Sequence, residues 1–247
     1  MRPTSWALAL VLPLTVGCAA VVEIPVQTPI QSKLDVTRFR RLLVAGFVVD
    51  AQEDIDLEAE TVRLLQNHLR ANAKLRVLEP DRPPLEDALE TLNRQEGDGA
   101  GMTRPDREHR QAETDRLLQD AGFWRRVGEE YQQPLIVSGR VGFEAKEQAG
   151  FEAEERVLTD RRGLPYTAND RRFTERRGFT LTADFLFVDG RTGQALHKER
   201  FSEEILYSEE HKVSALSAYF ELMDRLLPNV LGVISTQRIR GTRILLP

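Results

Sequence analysis

The chain has 247 residues, 41% of them hydrophobic and 30% charged, a composition that suits a globular domain with a real core. Its formal net charge of -5 argues against a dedicated nucleic-acid binder, which is ordinarily basic. The single cysteine, Cys18, leaves the rest of the chain without a disulfide, a zinc–thiolate site or a cysteine nucleophile.

The first residues differ from everything after them. Arg2 gives a short positive start, and residues 6–16 (WALALVLPLTV) form an almost unbroken apolar stretch. Its length of about eleven residues matches the hydrophobic region of a signal peptide, whereas a membrane-spanning helix needs roughly 20. Gly17, Cys18, Ala19 and Ala20 follow, all small. The run Leu14-Thr15-Val16-Gly17-Cys18 resembles a lipobox, with Thr15 where that pattern places an aliphatic residue and Leu14 one position further back. The resemblance implies a signal peptide at 1–17, cleavage before Cys18, and acylation of its sulfur (palmitate) and new amino group. Several acyl chains anchor firmly where one binds only marginally. Ala19 after the cysteine resembles the outer-membrane sorting signal of enterobacterial lipoproteins. The competing reading is an ordinary exported protein with an incidental cysteine.

Residues 18–36 contain two prolines and no helical periodicity, which reads as an extended tether, or alternatively as a first edge strand. The periplasmic domain is expected over 37–247. Residues 42–49 are continuously apolar, as in a strand buried on both faces. An acidic loop (50–56) follows, with Asp56 placed to cap a helix over 57–71 whose Val62, Leu65 and Leu69 share a face. A short strand at 75–79 completes a βαβ unit, which makes the two strands parallel with a right-handed crossover. A short helix over 85–92, a glycine-rich loop over 97–102 and a charged helix over 105–131 come next. The apolar face of that helix holds Leu117, Leu118, Ala121, Phe123, Trp124 and Val127.

After Pro134 the pattern turns to strands: one over 135–143, one over 179–188, a tight Asp189-Gly190 turn and a returning strand over 194–207. An amphipathic helix over 213–234 follows, which Pro228 is expected to kink or divide. Residues 239–246 read as a last strand. The fold class is α/β or α+β: a single domain with a central mixed sheet, an N-terminal βαβ unit, an antiparallel meander and packed helices.

Residues 144–178 separate two meander strands by far more than a turn requires. Glu144, Glu147, Glu152, Glu154 and Glu155 crowd the first half, and Arg156, Arg161, Arg162, Arg171, Arg172, Arg176 and Arg177 the remainder. One reading is a solvated hairpin or mobile loop. The other is a contact arm for a partner, a lipid headgroup surface or an anionic polymer, in which Arg161, Arg162, Arg171, Arg172, Arg176 and Arg177 make bidentate contacts.

The order of elements, with the "LRVLEP" strand, the "VDGRTGQALHKERF" hairpin and its Asp189…Thr192-Gly193 turn, an amphipathic helix and a final strand, is similar at the level of layout to a periplasmic superfamily. It comprises CsgG-like curli-secretion lipoproteins, LpoB-type activators of penicillin-binding proteins and the TolB N-terminal domain. The resemblance implies an assembly or regulatory role without catalysis. Curli-type subunits insert amphipathic hairpins into the outer membrane, but the charged insert here lacks the alternating apolar positions such strands need.

Chemistry-bearing motifs are scarce. His68, His109, His197 and His211 show no metal-ligand spacing, no Ser stands in G-x-S-x-G, and the glycine-rich loop lacks the Lys-Ser/Thr of a phosphate-binding loop. Asp50, Glu53, Asp54 and Asp56 do not have EF-hand spacing. The sequence therefore points to a membrane-anchored envelope lipoprotein, facing the periplasm from the outer membrane. It has no cofactor, metal or nucleic-acid partner, and acts through envelope proteins or as a homo-oligomer. Two rivals remain: a transport-auxiliary lipoprotein with an apolar cavity between helix and sheet, and a periplasmic hydrolase with a cleft near His197 or His211.

Overall fold

The computed structural model describes residues 22–51, 56–96, 104–208 and 213–245. Cys18, Glu53, Asp54, the 97–102 loop and His211 lie outside the described residues. The described residues divide into two compact units, one within 31–235 and one formed by 22–30 with 236–245.

Residues 31–235 contain a five-stranded mixed sheet. Its strands are β2 (Arg41–Ala51), β3 (Arg76–Leu78), β4 (Leu135–Thr159), β5 (Pro165–Asp189) and β6 (Ala195–Ser208), in the order β3-β2-β4-β5-β6. β2 runs parallel to both β3 and β4, while β4, β5 and β6 form the antiparallel meander. The expected βαβ unit is β2, α1 (Leu57–Asn72) and β3. Asp56 caps α1 by accepting a bond from the Ala59 amide at 3.2 Å.

Helices cover both sheet faces. On one face α1 and α5 (Ala215–Ile234) pack on Leu42, Val44, Phe47, Val137, Phe143, Phe179 and Phe185. On the other, α2 (Pro84–Glu96) and α4 (Ala121–Glu130) cover Leu43, Ala45, Ile136, Leu186 and Val188. Alternation along β2 thus fills two cores, which is why its sequence is apolar throughout. A bulge between Val44 and Phe47 returns Phe47 to the first face, where its ring meets Phe185 edge-on at 5.4 Å. Behind the bulge, the buried Ser138 hydroxyl donates to the Gly46 carbonyl at 2.9 Å. Between helices, the Tyr219 hydroxyl bonds Thr61 Oγ1 at 2.6 Å, and Thr61 donates to the Leu57 carbonyl at 2.5 Å. Burial pushes the Tyr219 hydroxyl up to about 12.

Three local expectations are corrected. The helix expected over 105–131 is two helices, α3 (Arg104–Gln119) and α4, because the Asp120 carboxylate accepts the Gly122 amide at 2.7 Å and starts a new helix. α5 is one helix through Pro228, which therefore does not divide it. That residue lies on the exposed side, with Leu226, Leu227 and Val230 buried around it, so packing holds the helix where one backbone bond is lost. The last strand, β7 (Gln237–Leu245), does not extend the sheet. It pairs antiparallel with β1 (Val22–Ile30), so this part of the expected tether is a strand.

α4 and the Asp189 turn approach each other as bare backbone. A Cβ on Gly128 would stand 1.7 Å from the Gly190 carbonyl oxygen, so only glycine fits there. Asp189 is itself buried; its carboxylate accepts the Arg191 amide at 2.9 Å and pairs with Arg38 at 3.3 Å.

Candidate functional site: a two-stranded arm

The 144–178 insert is a continuation of β4 and β5. The ladder runs without a register shift from Leu135↔Asp189 to Thr159↔Pro165. β2 leaves it at Phe143 and β6 at Arg176, and beyond Gln148↔Arg176 only two strands continue. At about 3.4 Å per residue the free ribbon is roughly 37 Å long. The described side chains of residues 155–167 are exposed, so a charged sequence suits this part of the ribbon.

The end of the arm is a defined turn. The Asp160 amide donates to the Leu164 carbonyl at 2.9 Å, and the Gly163 amide to the Asp160 carbonyl at 3.0 Å. The Asp160 carboxylate accepts the amides of Arg162 at 2.8 Å and Leu164 at 2.9 Å. Gly163 has φ +81°, a conformation that glycine adopts without strain. These bonds fix Arg161 and Arg162 at the outermost point, with both side chains exposed.

Apolar side chains gather at the same place. Val157 is 73% exposed, Leu164 62%, Tyr166 50% and Leu158 43%. They are four of the eight large hydrophobic residues exposed among those described, within a ten-residue segment. Such a concentration differs from the single scattered apolar residues that any surface carries. The sequence reading singled out the arginines and missed these four, since single apolar residues in a charged stretch carry no periodicity.

The six arginines expected as one contact set are divided. Arg161 and Arg162 lie in the turn. Arg176 and Arg177 lie at the base of the arm, in register with Gln148 and Glu147, and the Arg177 guanidinium stands 5.1 Å from the Phe179 ring centre. The side chains of Arg171 and Arg172 lie outside those described.

Elsewhere several titratable groups are tied into the fold. His197 bonds Glu199 at 3.0 Å, and Lys33 pairs with the same carboxylate. Burial pushes Glu199 up, but its bonds to Lys33 and His197 outweigh this and hold it below the usual range. An open recess of about 400 Å³ lies on the second sheet face beside α3, where Arg140 pairs with Asp115 at 2.6 Å. Asp184, Lys198 and Arg200 line it together with Leu118, Phe185 and Leu186, so the recess has charged walls over an apolar base. Burial pushes the Glu58 carboxyl up to about 7, with Glu86 and Asp56 adding to the effect.

No protein-family model matches the chain, and no curated protein matches it. Among solved structures it is similar to the LpoB C-terminal domain from Salmonella enterica, at 9% identity over 66% of this chain and 82% of that one, with a TM-score of 0.30. It is similar to lipoprotein GNA1162 from Neisseria meningitidis, at 12% identity over 77% and 96% of the two chains and a TM-score of 0.33. It is also similar to a PelC dodecamer from Paraburkholderia phytofirmans, at 14% identity over 86% and 97% and a TM-score of 0.32. At these TM-scores and identities the likenesses are loose.

Proposed function

We propose that this chain is a non-catalytic bacterial envelope lipoprotein, anchored through acyl chains on Cys18 and facing the periplasm from the outer membrane. It serves as an accessory or assembly component, and the β4–β5 arm is its contact element for envelope proteins. The observation that carries this reading is the arm itself: an ordered ribbon of about 37 Å that no other described element covers and that ends in exposed apolar and cationic side chains. The apolar leader, the small residues around Cys18 and the structural bonds that occupy Ser138, Thr61 and Asp189 support it.

The test has two arms. Cys18→Ala is expected to abolish palmitate labelling and precursor cleavage; unchanged labelling removes the anchor from the proposal. A photo-crosslinking residue at Glu155, on the shaft, is expected to capture discrete envelope proteins in cells, unlike one at Arg63 on α1. Identical adducts from both positions, or none from either, would sink the assembly role.

A further inference from the structure

We infer that the tip of the arm, residues 157–166, inserts into the headgroup layer of an anionic bilayer. The inference shares with the functional proposal only the exposure of the arm; the lipid on Cys18 and the protein contacts of the shaft can each fail without it.

The distribution of side chains favours a bilayer over a protein surface. Opposed residues of a ribbon project to the same face and successive pairs to opposite faces. Leu158 and Tyr166 form one pair, while Val157 belongs to the next, opposite Thr167. The exposed apolar groups thus lie on both faces of the ribbon, and Leu164 lies in the turn between the strands. A flat protein surface covers one face. A lipid headgroup layer surrounds an inserted tip on both.

The dimensions agree. The three outermost pairs and the turn extend about 10 Å along the ribbon, and interfacial segments bury their apolar groups about 5–10 Å into the headgroup and acyl boundary. Inward of that depth the sequence turns polar at Glu155 and Arg156, which sets a limit to penetration. The charge also agrees. Arg161 and Arg162 stand in the outermost turn, beyond the apolar pairs, so their long side chains snorkel back to the phosphate level, and the one carboxylate between residues 157 and 166, that of Asp160, is engaged by two backbone amides. Guanidinium groups at this position meet lipid phosphates with paired donors. Tyr166 has the amphipathic side chain that favours a membrane interface.

The experiment uses the full chain with Cys18→Ala, so that a thiol introduced by Thr159→Cys is unique and all four apolar tip residues remain. The thiol carries an environment-sensitive fluorophore. The chain is mixed with vesicles of phosphatidylglycerol and phosphatidylcholine in equal parts, and a second preparation carries the fluorophore at Glu155→Cys. The expected result is a blue-shifted emission at 159 that spin-labelled lipid quenches, with the label at 155 remaining aqueous. Arg161→Gln with Arg162→Gln is expected to lower the inserted-to-free ratio about 30-fold, from roughly a factor of five per cationic side chain near an anionic surface. Val157→Asn with Leu164→Asn is expected to abolish the shift while far-UV circular dichroism stays unchanged.

An aqueous label at 159, whether or not the chain travels with the vesicles, overturns the inference. So does an equal shift at both positions, which would mean an arm lying flat. A shift that appears with solubilised envelope proteins and not with lipid alone would assign the tip to a protein groove instead.

Discussion

Replacing residues 149–175 by Asn-Gly would join Gln148 to Arg176 through a tight turn and leave the β4, β5 and β6 pairings of the sheet in place. Every residue of the two buried clusters lies outside the deleted segment; Phe143 and Phe179 are the last fully buried side chains before the arm begins. The free ribbon gains ladder bonds and cross-strand pairs of about 0.2–1 kcal/mol each, against a backbone ordering cost of about 1–2 kcal/mol per residue. Such two-stranded elements are close to neutral on their own in water. The deletion is therefore expected to change unfolding free energy by no more than about 1 kcal/mol, a shift of about 2–4 °C in Tm. Urea unfolding followed by circular dichroism measures it, and co-purification of envelope proteins with the variant against the full chain reads the loss of the arm's contacts. A loss of several kcal/mol would show that the arm serves folding, and would refute its assignment as a contact element.

Gly128→Ala puts a carbon against the Gly190 carbonyl with backbone on both sides, so α4 and the Asp189 turn must separate. A cost at or above the upper end of the usual 1–3 kcal/mol of overpacking is expected, roughly 6–12 °C in Tm, and a near-normal melting curve would contradict the close approach. Glu58 gives a pH signature. The folded chain holds that proton up to about 7 and the unfolded chain releases it near 4.5. Between those values the folded state binds more protons, so stability falls as pH rises and levels off above 7. The side chain is partly solvated, so screening limits the effect to about 1 kcal/mol. Glu58→Gln is expected to flatten this slope and to be the more stable form at pH 8; a slope that persists in the variant places its origin elsewhere.

Much of the main sheet was legible because its signals are local. The run at 42–49 announces a doubly buried strand, Asp56 announces a cap, and Asp189-Gly190 announces a turn. Asp120 was equally available as a cap, but the apolar residues on either side of it read as one helical stripe. The arm was not legible as a ribbon. Its strands meet no core, so they carry no period-two apolar pattern, and its register sets Glu147 opposite Arg177, a relation that sequence proximity cannot reveal. The pairing of β1 with β7 joins the two ends of the chain and has no local signal at all. Composition names the arginines as candidate contacts but has no geometry; the structure places Arg161 and Arg162 in the turn and Arg176 and Arg177 at the base.

The two strands of the arm are also interior strands of the five-stranded sheet, one ladder with an unbroken register from the turn at Asp160 to Asp189. A slip of one residue would turn Phe179, Leu181 and Phe185 out of the core, so the ribbon cannot telescope or slide. It can bend and twist. A displacement at Arg161 and Arg162 therefore reaches the base as bending or twisting of one ladder, with its register unchanged, where β6 joins at Arg176.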